Sequence, residues 1–308
     1  MPEKKVKVQI EDVELTISNL DKVFYPSSGF TKGQVIDFYI RIAPALLAHL
    51  AGRPITLKRY PDGALANFFY QKECPPHRPD WVPTVPVWSE GNQKNTNYCL
   101  LEDLPSLVWA VNLAALELHT SLSLAQNMPT PTMVVFDLDP GPPAAIIECA
   151  QVALLLREIF DAHSLTAYPK TSGSKGLQVY IPLNTATNYE ETKSFARHLA
   201  QLLEQQYPHL VVSNMKKALR KGKVFVDWSQ NDEHKTTVCV YSLRARPEPT
   251  VSAPVTWEEV KQAWKTKDPS LLTITAPMVL ERYEKYGDMF APLLSKKQKL
   301  PDLKDLKQ

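Results

Sequence analysis

Three aspartates that each end an apolar strand are the residues whose types and spacing first suggest chemistry. Residues 133–139 read MVVFDLD, so Asp137 and Asp139 share one face of a predicted strand and the apolar residues share the other. Asp227 ends a similar run, KVFVDW. Carboxylate oxygens suit Mg²⁺ or Mn²⁺, and side chains at this spacing can converge on two cations about 3.5–4 Å apart. The pattern predicts two-metal phosphoryl chemistry.

The same acids have two other interpretations. A single aspartate after a strand is more often a turn cap than a ligand. An FDLD strand also resembles the opening motif of haloacid-dehalogenase-type phosphatases, in which the first aspartate, here Asp137, acts as a nucleophile. Those enzymes usually carry Thr or Val four residues later, where this chain has Gly141, and their strand lies near the N-terminus. The pattern therefore favours the metal site over the phosphatase.

A second set of residues is suited to binding phosphate. Between the acids, residues 170–176 read KTSGSKG, in which small residues let backbone N–H groups approach an anion. Ser172 and Ser174 supply hydroxyls and Lys175 supplies charge. This is not a Walker A loop, because the GxxxxGK[ST] spacing is missing. Further basic residues are Lys216, Lys217, Arg220, Lys221 and Lys223 before the third acid, and Arg244 and Arg246 after the next predicted strand.

The elements that must position these residues alternate between helices and strands, with some strands adjacent. This order predicts an α+β or mixed α/β fold with a mixed sheet. A hairpin is predicted over 6–17, and Thr31 is expected to cap the first helix. Predicted strands cover 54–60, 66–71, 96–101, 132–138, 165–170, 177–182, 223–228 and 236–241. Predicted helices cover 31–50, 105–118, 144–162, 189–206, 213–221, 256–264 and 277–286.

Composition narrows the class of protein. The chain has 308 residues, 44% of them apolar and 22% charged, which is typical of a globular protein and argues against disorder. Its net charge of +2 does not indicate a partner. No apolar leader or membrane-length run is present, so we expect a cytoplasmic protein without a membrane partner. The cysteines are predicted to be buried free thiols in a reducing compartment: Cys74, Cys99, Cys149 and Cys239.

Several motifs together resemble a known family. The segments VVFDLDPGP, TSGSKGLQVYIPL, KVFVDWSQN and YSLRARPEPTVSAPVTWEEV resemble the polymerase domain of bacterial ATP-dependent DNA ligase D. That domain belongs to the archaeo-eukaryotic primase superfamily. NLDKVFYPSSGFTKG, RPITLKRYPDG, LVWAVNLAALELH and DMFAPLLSKKQKLP extend the resemblance along nearly the whole chain. Independent motifs in the same order make it more specific than any one of them.

The resemblance implies a fold and an activity. It implies a single primase-polymerase domain over 1–308, with an RRM-like catalytic core at about 131–250. An N-terminal α/β lobe at about 1–130 would pack against that core, and a helical segment would cover about 251–308. The implied activity is template-directed nucleotidyl transfer from NTP or dNTP, filling short gaps with ribonucleotides at broken DNA ends in non-homologous end joining. The implied cofactors are two Mn²⁺ or Mg²⁺ ions. The implied partners are 5′-phosphorylated DNA, Ku and an ATP-dependent DNA ligase, at the nucleoid.

The resemblance also assigns roles to residues. The metal-binding catalytic triad would be Asp137, Asp139 and Asp227. The nucleotide would be bound by Lys58, His119, Ser172, Lys175, Arg220 and Arg244. The DNA end would be bound at a 5′-phosphate pocket of Asn19, Lys22 and Lys32, with Phe68 and Phe69 stacking near the template. From the residues alone, surface lysines are usually solvated and a phenylalanine pair usually lies in a core.

The sequence departs from the family at two places. Gln178 stands where the family commonly has histidine, which puts one nucleotide contact in question. Residues 232–234, Asp-Glu-His, replace a more basic, glycine-containing turn after the third acid. A third hypothesis, besides the polymerase and the phosphatase, is an end-binding module without catalysis. It predicts tight, salt-sensitive binding to 5′-phosphorylated DNA without extension.

Overall fold

A computed structural model describes residues 4–89, 93–304 and 306, and it shows a mixed α/β fold, as the sequence predicted. The chain forms two compact units built from interleaved segments. Unit 1 comprises Met1–Ser121, Thr236–Ser252 and Thr275–Asp288. Unit 2 comprises Leu122–Lys235, Ala253–Ile274 and Met289–Gln308. Unit 1 thus includes Thr236–Ser252, most of which lies in the range predicted for the catalytic core, about 131–250. It also includes Thr275–Asp288, which lies in the range predicted for the C-terminal helical segment, about 251–308.

Unit 1 begins with the predicted hairpin and the predicted capped helix. Strands β1 (Lys5–Ile10) and β2 (Val13–Ser18) are antiparallel and turn at Glu11. A small pair, β3 (Val23–Tyr25) and β4 (Phe30–Thr31), leads into α1 (Lys32–Leu50). Thr31 accepts a hydrogen bond from the Gln34 backbone N–H, and the Gln34 side chain accepts one from the Thr31 N–H. This reciprocal cap fixes where α1 begins.

The rest of unit 1 is an antiparallel sheet with β5 (Ile55–Arg59) at its centre. The other strands are β6 (Phe69–Gln71), β7 (Thr84–Ser89), β8 (Lys94–Cys99), β9 (Ala115–Thr120) and β15 (Thr237–Val238). Their order is β15-β9-β5-β8-β7, and β6 also pairs with β5. Helices α2 (Leu104–Asn112) and α6 (Ala276–Tyr286) complete this unit.

The predicted helix over 105–118 is wrong in its second half. The helix α2 ends at Asn112, and Ala115–Thr120 forms β9, which pairs with β5. Ala114 lies in the left-handed region at φ 64°, which cannot continue a helix. Most of β9 is buried, so its apolar residues do not alternate with exposed polar ones. A buried apolar run of this length does not distinguish strand from helix.

The prediction that all the cysteines are free thiols is also wrong. Cys74 and Cys99 form a disulfide, with Cα atoms 5.0 Å apart, whereas Cys149 and Cys239 are buried free thiols. The two bonded cysteines are 25 residues apart in sequence. The Cys74 backbone N–H donates to the Asn97 carbonyl on β8, so the loop after β6 runs beside the end of β8. The strand β7 also lies partly in the Pro-rich stretch, where no strand was predicted.

Unit 2 is built on a five-stranded sheet. Its strands are β10 (Met133–Pro140), β11 (Tyr168–Thr171), β12 (Leu177–Pro182), β13 (Val211–Val212) and β14 (Val224–Asp227). The order is β11-β12-β10-β14-β13, antiparallel except for the parallel pair β13–β14. With α3 (Ile146–Ala162) after β10 and α4 (Tyr189–Gln206) after β12, this is the βαββαβ arrangement of an RRM-like sheet.

The core of unit 2 lies on one face of β10. Phe136 is fully buried, and its ring centroid lies 5.3 Å from that of Phe160 on α3 and 6.2 Å from that of Phe195 on α4. Burying each such ring contributes about 1.5–3 kcal/mol. Because strand side chains alternate, the helices that cover Phe136 leave the opposite face of β10 to Asp137 and Asp139.

The predicted basic helix at 213–221 is wrong. After β13, only Lys217–Leu219 forms a 3₁₀ turn. Met215 and Leu219, the large apolar residues there, are about half exposed, so no apolar face holds a helix against the core. The remaining helices are α5 (Trp257–Thr266) and α7 (Pro292–Ser295), with a 3₁₀ turn at Pro269–Leu272. Over the described residues, every helix is too short or too polar to cross a membrane.

Candidate active site

The three aspartates come together on adjacent strands of unit 2. Asp137 on β10 is the direct antiparallel partner of Asp227 on β14. Asp139, two residues further along β10, shares the face of Asp137 and pairs with Phe225. On the other side of β10, Asp137 is the direct partner of Gln178 on β12. A row of Gln178, Asp137 and Asp227 therefore crosses three strands of the sheet.

The surroundings of Asp137 raise the pKa of its carboxyl group. Burial, followed by the negative charges of Asp139 and Asp227, raises the pKa of Asp137 to about 7. A hydrogen bond from Gln178 and the positive charge of Lys170 act in the opposite direction. Adjacent carboxylates that disfavour one another's ionisation form an anionic site that a divalent cation would stabilise.

Gln178 links a buried lysine to Asp137. The side-chain oxygen of Gln178 accepts hydrogen bonds from Lys170 Nζ at 2.5 Å and from the Tyr180 hydroxyl at 3.2 Å. Because both donors point at the oxygen, the Gln178 NH₂ group is the one that donates to Asp137. Lys170 is almost fully buried, at 1% exposure. At the position where the family commonly has histidine, this chain therefore has an oriented amide.

Asp227 turns toward the residues that follow it. Its Oδ1 accepts from the Ser229 backbone N–H at 3.0 Å and from the Ser229 hydroxyl at 2.5 Å, and its Oδ2 accepts from Gln230 Nε2 at 3.2 Å. Lys235 Nζ donates to the same Ser229 hydroxyl at 2.6 Å. The short turn Trp228–Gln230 thus holds the carboxylate and brings a lysine close to it.

Asn231 fastens this turn to β10. Its side-chain oxygen accepts from the Val135 N–H at 2.9 Å, and its NH₂ group donates to the Val135 carbonyl at 2.8 Å. The Asn231 amide therefore takes the place of a strand residue beside Val135, beyond the end of β14. Asn231 is fully buried. In the turn 232–234, where the sequence departs from the family pattern, Asp232 pairs with Lys193 at 2.6 Å. This ion pair neutralises part of the negative charge of the turn.

The predicted phosphate loop joins β11 to β12, but it differs from the expectation in detail. The Ser172 hydroxyl accepts from the backbone N–H groups of Ser174 at 3.2 Å and Gly176 at 3.1 Å. Two of the N–H groups expected to face an anion are therefore used inside the loop. Lys175 is exposed beside them. A Cβ on Gly176 would lie 2.0 Å from the Leu138 carbonyl oxygen, so only glycine lets the loop approach β10 this closely.

Arg220 is fixed close to the acids by a stacking contact. Its guanidinium lies 3.7 Å from the centroid of the Phe225 ring, and its NH2 atom donates to the Met215 carbonyl at 3.0 Å. Phe225 shares the sheet face of Asp139, its antiparallel partner. A Cβ on Gly141 would lie 1.9 Å from the Arg220 carbonyl oxygen, so the backbone at Arg220 packs directly on the chain that leaves β10.

In unit 1, three of the predicted nucleotide-binding residues, Lys58, His119 and Arg244, surround one buried carboxylate, Glu117. Glu117 lies 3.4 Å from Lys58 Nζ, 3.0 Å from His119 Nε2 and 3.4 Å from Arg244 Nε. Burial would raise the pKa of Glu117, but the His119 hydrogen bond and the charges of Arg244 and Lys58 outweigh it and hold that pKa well below its usual range. Burial lowers the pKa of His119 and of Lys58. No motif or spacing in the sequence singled out Glu117.

Phe68 and Phe69 are exposed and contact different cations of unit 1. Phe68 is 51% exposed, and its ring centroid lies 4.2 Å from Lys58 Nζ. Phe69 is 45% exposed, and the Arg59 guanidinium lies 5.1 Å from its centroid. Tyr70 is also exposed, and its ring centroid lies 5.8 Å from that of Phe68. This pair does not lie in a core, which is where phenylalanines are usually found.

The residues of the predicted 5′-phosphate pocket lie beside one another at the start of α1. The Lys32 backbone N–H donates to the Lys22 carbonyl, and the Lys22 N–H donates to the Asn19 carbonyl. Lys22 is exposed, and its ammonium contacts the Pro61 carbonyl at 2.7 Å and Asp62 at 3.0 Å. Lys32 is buried, and its ammonium contacts Ser18 and the Asn112 side-chain oxygen at 2.7 Å.

The donor chemistry of the acidic row fits divalent metal ions. Across 4–89, 93–304 and 306, no group of three or more His, Cys, Asp or Glu side chains is arranged so that it could already hold a metal ion. Mg²⁺ in phosphoryl-transfer sites is typically held by one or two carboxylates and completed by water and substrate phosphates. Asp137, Asp139 and Asp227 are an open set of oxygen donors of this kind. Asp227 would have to release Ser229 or Gln230 to contribute fully.

The chain is similar to proteins of one known family. The family model for LigD, primase-polymerase domain, matches residues 31–290. The multifunctional non-homologous end joining protein LigD of Mycolicibacterium smegmatis is 40% identical over 285 residues, 92% of this chain. The bifunctional non-homologous end joining protein LigD of Bacillus subtilis is 34% identical over 278 residues, 90% of this chain. The chain spans only 36% and 44% of the lengths of these two relatives.

A solved structure has the same fold. The polymerase domain from Mycobacterium tuberculosis ligase D, in complex with DNA, superposes with a TM-score of 0.84 at 38% sequence identity. The match covers 92% of this chain and 99% of that one. Fold and similarity together define a nucleotidyltransferase of the polymerase class. The chain belongs to the LigD primase-polymerase domain family.

Proposed function

We propose that this chain is a template-directed polymerase that fills short gaps at broken DNA ends in non-homologous end joining and prefers ribonucleotides. The observation that carries the proposal is the direct pairing of Asp137 with Asp227, with Asp139 on the same face of an RRM-like sheet. Three carboxylates on adjacent strands, next to a phosphate-suited loop and a stacked arginine, suit phosphoryl transfer better than turn capping. The proposal also rests on the family's relatives, whose names place them in end joining.

Polymerases of this family depend on metal ions, and Mn²⁺ or Mg²⁺ would be held here by Asp137, Asp139 and Asp227. When bound, two such ions would lower the pKa of the primer 3′-hydroxyl and neutralise the leaving pyrophosphate. Burial, together with the charges of Asp139 and Asp227, raises the pKa of Asp137, so bound cations would be what keeps all three carboxylates ionised. Gln178 would keep the Asp137 carboxylate oriented through its amide.

The incoming nucleotide would be bound by the cations and the loop serine. Lys175 and Arg220 would bind phosphate oxygens, with Arg220 held in place by the Phe225 ring. Ser172 would shape the loop, since its hydroxyl accepts from two backbone N–H groups. Lys58 and Arg244 would supply further positive charge to the triphosphate, with His119 beside them. Fixed cations stabilise the charge that develops as the phosphoryl group transfers.

The DNA end would be bound by unit 1. Asn19 and Lys22 lie beside the start of α1, where the exposed Lys22 ammonium and the positive end of the helix dipole would favour a phosphate. Lys32 would act mainly by fixing this corner, because its ammonium is buried among oxygen acceptors. Phe68 and Phe69 are exposed aromatic rings of the kind on which unpaired bases stack. Ku and an ATP-dependent DNA ligase are the proposed partners, in the cytoplasm at the nucleoid.

A single assay tests the proposed function. The protein is incubated with a gapped, 5′-phosphorylated duplex, Mn²⁺ and either rNTPs or dNTPs, and primer length is followed. We expect extension directed by the template, faster with rNTPs, and its loss in Asp137→Ala. Absence of extension by the wild-type protein, or extension that persists in Asp137→Ala, would contradict the proposal. Hydrolysis of a simple phosphomonoester would instead favour the phosphatase, and binding to the DNA end without extension would favour the end-binding module.

A further inference from the structure

Glu117 has an arrangement of contacts that the sequence motifs do not explain. It lies on β9, is 2% exposed, and is the direct antiparallel partner of Lys58 on β5. His119 is two residues further along β9 and therefore lies on the same face. Arg244 comes from the chain that follows β15. A single carboxylate thus contacts two cations and a histidine from three separate segments of unit 1.

Neutral donors fix the Glu117 carboxylate in place. The Tyr60 hydroxyl donates to its Oε1 at 3.0 Å, and the backbone N–H of Ala245 donates to the same oxygen at 3.1 Å. Its Oε2 faces Lys58, His119 and Arg244. The neutral donors therefore anchor Oε1, which Lys58 Nζ also approaches at 3.5 Å, while Oε2 contacts all three side chains. A carboxylate held in this way can set the positions of the groups around it.

The charges explain why such a carboxylate is needed. Lys58 and Arg244 would repel one another in a partly buried site, and burial already lowers the pKa of Lys58. With Glu117 between them, the cations can stay close together before any anionic ligand arrives. Cations that are already in position lose less side-chain freedom when an anion binds.

We infer that Glu117 is a positioning residue that holds Lys58, His119 and Arg244 in the arrangement that binds the triphosphate of the incoming nucleotide. The inference rests on the proposed function, because it takes those cations as the nucleotide site. Glu117 acts through the cations and is not assigned a contact with the reacting atoms. Its contribution therefore belongs to nucleotide affinity rather than to the chemical step.

The chain offers a matched control for Glu117 in the same unit. Asp288 also accepts from a histidine and a tyrosine: His49 Nε2 lies 2.9 Å from its Oδ2, and the Tyr241 hydroxyl lies 2.7 Å from its Oδ1. Asp288 is also largely buried, at 15% exposure. It is not among the residues assigned to nucleotide, metal or DNA. The comparison of Glu117→Gln with Asp288→Asn separates nucleotide positioning from loss of a buried carboxylate.

The first measurement is ATP binding to the full chain by titration calorimetry, without DNA, for wild type, Glu117→Gln and Asp288→Asn. We expect Glu117→Gln to raise the Kd for ATP at least about tenfold, because it removes a charge-assisted contact to each cation. Asp288→Asn is expected to leave that Kd within about twofold. In primer extension, Glu117→Gln should raise KM for the nucleotide more than it lowers kcat.

Two further variants keep the inference testable if Glu117→Gln is unstable. Glu117→Asp keeps the charge on a shorter side chain, and it should bind ATP more weakly than wild type but more tightly than Glu117→Gln. In a background of Arg244→Gln, adding Glu117→Gln should weaken binding by a smaller factor than in wild type, because one of the positioned cations is already gone. Purely additive effects would contradict a positioning role.

The outcomes distinguish this inference from the proposed function. Equal ATP affinity in wild type, Glu117→Gln and Glu117→Asp would overturn the inference, even if the wild type extends primers. Equal weakening by Asp288→Asn would reduce Glu117 to a fold-stabilising residue and overturn it as well. Failure of the wild type to bind ATP at millimolar concentration would also overturn it. Loss of ATP binding in Glu117→Gln, without extension by wild type, would support the inference and contradict only the polymerase reaction.

Discussion

Asp137 and Asp227 are direct partners across two antiparallel strands, β10 and β14. Like charges in such a pair destabilise a sheet, and here Asp139 adds a third negative charge on the same face. Burial and these neighbours raise the pKa of Asp137 to about 7. The arrangement opposes folding in the absence of metal. A site that destabilises the fold in this way is typical of residues kept for function.

The first prediction is that Asp137→Asn stabilises the metal-free protein as it abolishes extension. The pKa of Asp137 rises from an ordinary 3.8 to about 7 in the folded protein. Protonation of Asp137 therefore stabilises the folded state, fully below about pH 4, and this stabilisation is lost as the pH rises through 7. The advantage of Asp137→Asn should therefore grow between pH 5 and pH 8, toward on the order of 1–4 kcal/mol.

Chemical denaturation in EDTA at pH 5 and pH 8 measures this difference. Asp288→Asn serves as the control, because Asp288 accepts hydrogen bonds from His49 and Tyr241 and its loss should destabilise the protein. An Asp137→Asn protein that is no more stable than wild type at pH 8 would show that repulsion at the acidic row is negligible. Added Mn²⁺ should raise the melting temperature of wild type more than that of Asp137→Asn.

The second prediction concerns Gln178. Gln178→Leu removes the amide between Lys170 and Asp137, so we expect a loss of about 1–3 kcal/mol in the free energy of unfolding. Extension should fall further than this loss explains, because Asp137 loses the donor that orients it. Urea denaturation and extension rates measured on the same samples check both effects. Gln205→Leu, at an exposed position on α4, is the control, and an equal effect of both variants would contradict the prediction.

The sequence predicted most of unit 2 because its elements are simple. The bounds of β12 and α4 were predicted correctly, at 177–182 and 189–206. The aspartates were found because each ends a strand. Glu117 was missed because residues 105–118 were predicted to be one helix. In a helix Glu117 and His119 do not share a face, whereas on β9 they do.

Relationships between distant segments could not be predicted in the same way. The Cys74–Cys99 disulfide joins two residues that the sequence places 25 positions apart without a recognisable pairing signal. The buried Lys170 looked like part of a phosphate loop, and only the strand register brings it to Gln178. The family resemblance assigned roles to single residues. The contacts among those residues could be seen only in the folded structure.

The third prediction tests the close approach of the phosphate loop to β10. A methyl group on Gly176 would lie 2.0 Å from the Leu138 carbonyl oxygen, and neither backbone atom can rotate away. We expect Gly176→Ala to lower the free energy of unfolding by at least ~2 kcal/mol and to reduce extension by moving the loop. Thermal melting and extension assays measure the two effects.

Gly29→Ala is the control for Gly176→Ala. Gly29 has φ +70° with nothing within 4 Å of the added carbon, so its substitution involves only the left-handed backbone, about 1 kcal/mol. Extension by Gly29→Ala should stay at the wild-type rate. If Gly176→Ala is no less stable than Gly29→Ala, the loop and β10 are further apart than the structure shows.

The fourth prediction separates stability from catalysis at Asn231. Asn231→Ala removes the side-chain partners of the buried N–H and carbonyl groups of Val135. We therefore expect the free energy of unfolding to fall by about 2–4 kcal/mol. The turn that orients Asp227 would also lose its attachment to β10. Asn188→Ala is the control, because it removes the N-cap of α4 in the same unit. It should lower the free energy of unfolding by about 1 kcal/mol.

Both variants are compared at a temperature where each is fully folded, by circular dichroism and by extension with saturating nucleotide. Asn188→Ala should then extend primers at the wild-type rate. Asn231→Ala should be slower, because Asp227 is free to leave the position that faces Asp137. Equal rates for the two variants would mean that the hydrogen bonds of Asp227 to Ser229 and Gln230 are enough to hold it. In that case, Asn231 would contribute to folding alone.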